Sequence, residues 1–409
     1  MGTKTYDSAT DMITFSRASK GTALRKVSYG NELVANGTFD ADTNWNKGTG
    51  WTISGGVADH DEATGGGILY QDVSVTAGLV YRVTYVMASE PVSGGGSANT
   101  SIQLFDGPET TLLWGVWMSG ASGVYSQFNG SLTYTTTVAP TTSTLRLRSY
   151  SDDAVQIGSV SVKEVTFDQA DGTLELFNHP TDIPRIEYDA AGAVKGLLIE
   201  EARVNLLTYS NDLSATVAWG QSNSPIATNA GASPDGTNNA NKSTPDTTNN
   251  IHYNYATINS PSSVHSYSVY VASAGYGFAT IGVSSNSSSD YYTVVVNLSD
   301  GTKTATYSSG TQTDKTCTVE AVGSYYRVSI SGSGEKYLIV GASDTGTYTP
   351  NFHGFNSFSG DGASGILIYG AQAETGSFGS SYIPTSGATA SRAADIASIP
   401  TSAFGYNND

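Results

Sequence analysis

The phrase NELVANGTFDADTNW, residues 31–45, returns as NLLTYSNDLSATVAW, residues 205–219. Asn31 answers Asn205, Leu33 answers Leu207 and Trp45 answers Trp219, with the same spacing between them. The echo continues downstream. Ile68, Tyr70 and Val75 match Ile251, Tyr253 and Ile258, and Val83-Thr84-Tyr85 with Ala88-Ser89 matches Tyr267-Ser268-Val269 with Ala272-Ser273. A repeat on this scale predicts two modules of one fold, each large enough to bury its own core.

Composition sets the class. The 409 residues include 46 Gly and 25 Tyr, many Ser, Thr and Asn, and only 13% charged residues. That mixture favours short strands joined by polar turns and disfavours long helices. Period-two alternation marks the strands, because successive side chains on a strand face opposite sides. Tyr81, Val83, Tyr85 and Met87 alternate with polar neighbours, as do Tyr267, Val269 and Val271, and Tyr326, Val328 and Ile330. The run 291–298, then Ser299-Asp300-Gly301-Thr302, then 303–307 reads as a hairpin, since Asp-Gly supplies the positive φ of a tight turn. Residues 157–165 and 366–373 read as the strands that close the two modules. The aperiodic stretches 94–96, 229–250 and 360–365 are expected to be loops.

The formal charge of -17, from 36 acidic and 19 basic residues without a basic cluster, makes nucleic acid and anionic membrane poor partners. A single cysteine, Cys317, rules out an internal disulfide, and no Cys/His set has zinc spacing. The first residues lack a basic segment followed by an apolar one, and no ~18-residue apolar run occurs, so the chain is expected to be soluble, without membrane insertion or an evident export signal.

The segment PRIEYDAAGAVKGLLIEEARVNLL (184–207), the tail GAQAETGSFGSSYIPTSGATASRAAD (370–395) and Phe15-Ser16-Arg17-Ala18-Ser19 together resemble a module of tailed-bacteriophage virion structural proteins. In that family the opening motif is followed closely by the PRI and GLLIE segments. Here about 135 residues stand between them, the length of one domain. The interposed stretch is similar to the jelly-roll carbohydrate-binding modules found beside glycanases, through Asn36-Gly37, Phe39, Gly50-Trp51, the Gly78 to Tyr81 strand entry and the closing strand.

These readings give an all-β chain of two antiparallel β-sandwich (jelly-roll) domains in tandem, the first inserted in a β-rich frame. The expected divisions are a docking segment 1–30, a first jelly roll 31–166, a hairpin-like connection 167–204, a second jelly roll 205–378 and an extended tail 379–409. The resemblance implies a protein of the virion surface, a fibre, spike or head-fibre that contacts other virion proteins and forms a homo-oligomer, with a trimer as the family-based expectation. On its sugar-binding-like folds the expected function is binding of host surface polysaccharide; the alternative is a decoration or connector protein acting only in assembly.

Sugar recognition by such sandwiches needs aromatic faces to stack on rings and polar side chains to meet hydroxyls. The candidates are Trp114, Trp117, Tyr253, Tyr255, Tyr291 and Tyr292, although Tyr291 and Tyr292 point opposite ways on one strand. Trp45 and Trp219, at equivalent repeat positions, are expected to be structural. Asp40, Asp42, Asp59 and Asp61, with Glu62, form the best carboxylate group for a structural Ca2+; no other cofactor is expected. Five scattered histidines, with neither a Gly-x-Ser-x-Gly elbow nor a His-Glu-x-x-His pair, point away from an enzyme.

Overall fold

A computed structural model describes residues 13–61, 65–89, 98–120, 132–258, 264–285, 290–310, 313, 315–334, 336–347 and 352–399. Among them the regular elements are strands, apart from one 3-10 turn at Phe352–Gly354. The chain forms two compact units: Val27–Thr173, and Met1–Lys26 together with Leu174–Asp409. In chain order the first unit is thus set into the second. Glu62 and residues 94–96 lie outside the described residues.

The inserted unit is a sandwich of two antiparallel sheets. One runs in the order Asn46–Lys47, Gly67–Ser74, Thr144–Ser151, Ala98–Asp106, Thr111–Gly120. The other carries Leu132–Val138, Val80–Met87 and Val155–Phe167 side by side, with Val57–His60 on Val155–Phe167 and Trp51–Ser54 beyond it. Alternation decides what faces inward. Tyr81, Val83, Tyr85 and Met87 meet Leu145, Leu147, Ile102 and Leu104 in one apolar core.

The outer unit repeats this plan with one further strand at an end of each sheet. Its first sheet runs Trp219–Ser222, Tyr253–Thr257, Tyr337–Ser343, Phe278–Ser284, Tyr291–Asn297, Lys303–Ser309. Its second runs Ile226–Gly231, Ala240–Ser243, Gly365–Thr375, Val264–Ala274, Tyr325–Ser333, Thr316–Val322. The closing strands Val155–Phe167 and Gly365–Thr375 occupy the same place in the two orders. Both units are antiparallel jelly-roll sandwiches, which is the duplication seen in the repeated phrase. The 291–309 hairpin forms as expected, with Gly301 at φ 73 in its turn, and a second hairpin joins Ile186–Tyr188 to Val194–Leu197.

One expectation fails here. Residues 229–250 are not simply loop, because Ala240–Ser243 is an inner strand of the second sheet. Its inward groups are Asn241 and Ser243, held by Asn211 O and Asn254 Oδ1, so polar side chains fill places where alternation would need apolar ones.

Trp45 and Trp219 are both buried, and each indole donates its N–H to a backbone carbonyl upstream, of Asn36 at 3.1 Å and of Tyr209 at 2.8 Å. Each ring thus closes the loop that enters its sandwich and satisfies its own donor while buried. The asparagines that open the two phrases are not equivalent. Asn31 is exposed, whereas Asn205 is fully buried, donating to Ala371 O and Ile383 O and accepting from Leu207 N and Ala373 N.

The frame motifs converge within the outer unit on a buried ionic box. Arg17 meets Asp395 at 3.3 Å, Arg185 meets Asp395 at 2.5 Å and Glu200 at 2.9 Å, and Arg392 meets Glu200 at 3.0 Å. Arg17 also donates to Pro180 O, and Arg392 to Glu201 O. Burial, opposed by the carboxylates, lowers the pKa of Arg17 and of Arg392. Arg17 comes from the FSRAS motif, Arg185 from PRI, Glu200 from GLLIE, and Arg392 and Asp395 from SRAAD, so the residues that carry the resemblance tie four stretches of chain together.

Candidate functional site

The sheet of the inserted unit that contains Thr111–Gly120 turns its outward face to solvent. Residues 144–148 read Thr-Leu-Arg-Leu-Arg, and the pleat sends Leu145 and Leu147 into the core and Arg146 and Arg148 out. Strand register then aligns a row across the sheet: Gly115 opposite Gln103, Gln103 opposite Arg148, Arg148 opposite Tyr70, Tyr70 opposite Asn46. At ~4.8 Å per strand this row spans roughly 19 Å.

Trp117 stands at one end. It shares the outward face with Gly115, and its indole folds back over that glycine: a Cβ at position 115 would sit 2.7 Å from the ring. Only a residue without a side chain lets the ring lie down on the strand. The ring remains 56% exposed. Two strands along the row the Arg148 guanidinium donates to Gln103 Oε1 and pairs with Glu109 at 3.3 Å. Arg146 makes a two-pronged contact with Asp72, at 2.7 and 2.8 Å, and lies 4.3 Å over the Tyr70 ring. The Asp72 hydrogen bond raises the Arg146 pKa, so its charge is fixed at any ordinary pH. The face is therefore a flat aromatic plate followed by preorganised donors and acceptors, the combination that holds a hydroxylated ring.

Trp114 lies one step out of phase. Trp114 and Trp117 stand three apart on one strand, so the pleat sends them to opposite faces: Trp114 packs toward the core with Val116, and Trp117 is the open member of the pair. The sequence reading missed Tyr70, Gln103, Asp72, Arg146, Arg148 and Glu109. The signal of the two arginines was present in the alternating TLRLR run, but only strand register shows that Gln103, Arg148 and Tyr70 share a row with Gly115, the residue under the Trp117 ring.

The equivalent face of the outer unit is closed. Between Tyr337–Ser343 and Gly365–Thr375 the chain makes a 21-residue excursion, 344–364, where the inserted unit uses only residues 152–154. Part of that excursion lies down on the sheet. Phe355 is buried over two glycines, Gly282 and Gly341, where a Cβ would come 3.5 and 3.1 Å from its ring. With Tyr70 matched to Tyr253, the register places Gly341 where the other unit has Arg148, and Gly282 where it has Phe105. The excursion is anchored by Thr293 donating to His353 O at 2.8 Å, by His252 Nε2 at 2.9 Å from Phe358 O, and by the pairing of Asn249–Ile251 with Ser357–Ser359.

The tyrosine candidates are accordingly dispersed. Tyr253 packs on Phe355 with ring centroids 5.7 Å apart, Tyr291 is buried against Tyr307 and the His353-Gly354 turn, and Tyr292 points inward into the core. Tyr255 lies at the sheet edge over Gly220. Of the carboxylates, Asp40 accepts from Thr38 Oγ1 and Asp42 pairs with Lys47. No group of three or more His, Cys, Asp or Glu able to hold a metal ion occurs among the described residues. Cys317 is partly buried, and burial pushes its thiol up to about 11.

No family model matches the chain. No curated protein matches it in sequence. Among solved structures it is similar to a family 4 carbohydrate-binding module (12% identity, 32% of this chain and 99% of that one, TM-score 0.24). It is also similar to the tandem family 22 modules of Paenibacillus barcinonensis Xyn10C (8% identity, 87% and 100%, TM-score 0.26). A third likeness is to the enzymatically active domain of tailspike protein 4 of bacteriophage CBA120 (12% identity, 32% of this chain and 21% of that one, TM-score 0.24). At these identities and scores the likenesses carry no argument about ligand, and the site has to be judged on its own residues.

Proposed function

We propose that this chain is a glycan-binding protein of a virion exterior, a fibre or spike component, which holds host surface polysaccharide on the open face of its inserted sandwich. The observation that carries the reading is the exposed Trp117 indole laid flat on Gly115, at the end of a row of Gln103, Arg148 and Tyr70. A linear saccharide laid across the strands would stack one ring on the indole and offer its hydroxyls to the amide and the guanidinium. The neighbouring acids, Asp72 and Glu109, already neutralise the two arginines, which suits a ligand rich in hydroxyls rather than one rich in charge. The role is binding without turnover.

The virion setting rests on the resemblance of the frame motifs. A docking role for the frame alongside glycan binding is favoured by Ile199, Ile396 and Ile399, large apolar side chains that stand exposed on frame and tail segments. A symmetric homo-oligomer, with a trimer as the family-based expectation, would give such side chains a partner.

The test is a glycan array probed with the purified full chain and with Trp117→Ala. The proposal expects hits on polysaccharide fragments that vanish in the variant. Failure of the folded chain to bind any bacterial surface glycan, with retained attachment to virions stripped of it, would leave only the assembly role.

A further inference from the structure

The outer unit, whose equivalent face is closed, carries a separate cleft at the edge of the same sheet. Its volume is about 600 Å3, within the range of small-molecule sites, roughly 300–1,000 Å3. One wall is the ring of Tyr255, which lies across Gly220 so closely that a Cβ there would sit 2.2 Å from it. Tyr253 and Tyr337 hold that ring from behind, at centroid distances of 6.0 and 5.9 Å. The geometry repeats the Trp117 arrangement by other means: an aromatic plate laid flat on a strand glycine. Val217, which also lines the cleft, is 83% exposed, an apolar side chain held out into water.

The rest of the lining decides the ligand class. Four threonines, Thr208, Thr216, Thr257 and Thr389, line the cleft, and among the described residues no Asp, Glu, Lys, Arg or His does. In a chain of net charge -17 that is a selective exclusion. An anion would find no cation to pair with and a repelling field around it, and a cation would find no carboxylate. A purely apolar ligand would displace water from the polar groups of that lining without replacing its hydrogen bonds. An uncharged sugar ring meets both requirements, offering an apolar C–H face to Tyr255 and Val217 and hydroxyls to the threonines.

We infer that this cleft is a second saccharide site, selective for an uncharged glycan ring, and distinct in chemistry from the arginine-bearing face of the inserted unit. The inference does not rest on that face, and the experiment keeps the two apart by using the full chain with Trp117→Ala as background. That protein is titrated calorimetrically with uncharged gluco-, galacto- and mannooligosaccharides of three to six units and with trigalacturonate as the charged control. At least one uncharged oligosaccharide is expected to bind, and trigalacturonate is not. Val217→Arg, at a position too exposed to disturb folding, is expected to weaken binding by about tenfold or more with an unchanged melting temperature. Tyr255→Ala is expected to remove it. The inference is overturned if none of the uncharged oligosaccharides binds, if trigalacturonate binds as well as they do, or if Val217→Arg leaves the affinity as it was.

Discussion

Arg17 and Asp395, 378 positions apart in the chain, meet at 3.3 Å with both side chains shut off from solvent. Asp395 also serves Arg185, so one carboxylate holds two buried guanidinium groups. Removing one partner of such a pair strands charge in a low-dielectric site, which costs about 3–5 kcal/mol. Asp395→Ala is therefore expected to destabilise the outer unit by that amount in denaturant unfolding. A loss below about 1 kcal/mol would show that the box is hydrated and unimportant.

The paired tryptophans give a graded expectation. Trp219→Phe keeps an aromatic ring but takes the donor from Tyr209 O, a change worth about 1–3 kcal/mol. Trp219→Ala also empties the core position and should cost about 3–5 kcal/mol. Trp45 should follow the same order through Asn36 O. Equal losses for Phe and Ala would assign all of the effect to the indole N–H.

Much of this was legible in the sequence. The repeated phrase, the alternation in 80–87 and 264–274 and the Asp300-Gly301 turn are local signals, and they led to the two sandwiches and their closing strands. Trp45 and Trp219 read as structural for the same reason: equivalent places in a repeat share a packing role. What failed was whatever depends on register or on polar filling. Ala240–Ser243 is an inner strand whose inward Asn241 and Ser243 are satisfied by hydrogen bonds, so no hydrophobic period marks it. Trp114 and Trp117 fall on opposite faces by alternation, but only the packing of their strand shows which of the two faces is the core side. The excursion 344–364 has no period at all, yet it decides that Tyr253 and Tyr291 pack against their own chain.

Phe355 supplies a third test. Its ring fills the space over Gly282 and Gly341, and Phe355→Ala should cost about 3–5 kcal/mol. Glycan binding that depends on Trp117 should be untouched by it. Loss of that binding in a folded Phe355→Ala protein would mean that the closed face, not the open one, takes the ligand.

Acid should weaken the outer unit through His179. Burial first, then the nearby Arg25, Arg17 and Arg185, pushes the imidazole well below its ordinary range, so the folded form keeps it neutral. The unfolded chain takes up a proton near pH 6.5, and the folded one only at much lower pH. The contribution of a depressed base is present above about pH 6.5 and is lost as pH falls below it. Melting temperatures measured between pH 7.5 and 5 should fall for the native protein and fall less for His179→Gln. Identical slopes would remove His179 from the account.

The central claim is that the inserted unit binds glycan on its open face. Calorimetric titration of the full chain with a polysaccharide fragment found on the array, set beside Trp117→Ala, tests it most directly. A ring this exposed should contribute little to folding, within about 0.5 kcal/mol, and as a binding anchor it should be worth about 2 kcal/mol or more. The account predicts a loss of affinity of roughly thirtyfold or more at unchanged melting temperature; undiminished affinity in Trp117→Ala would contradict it.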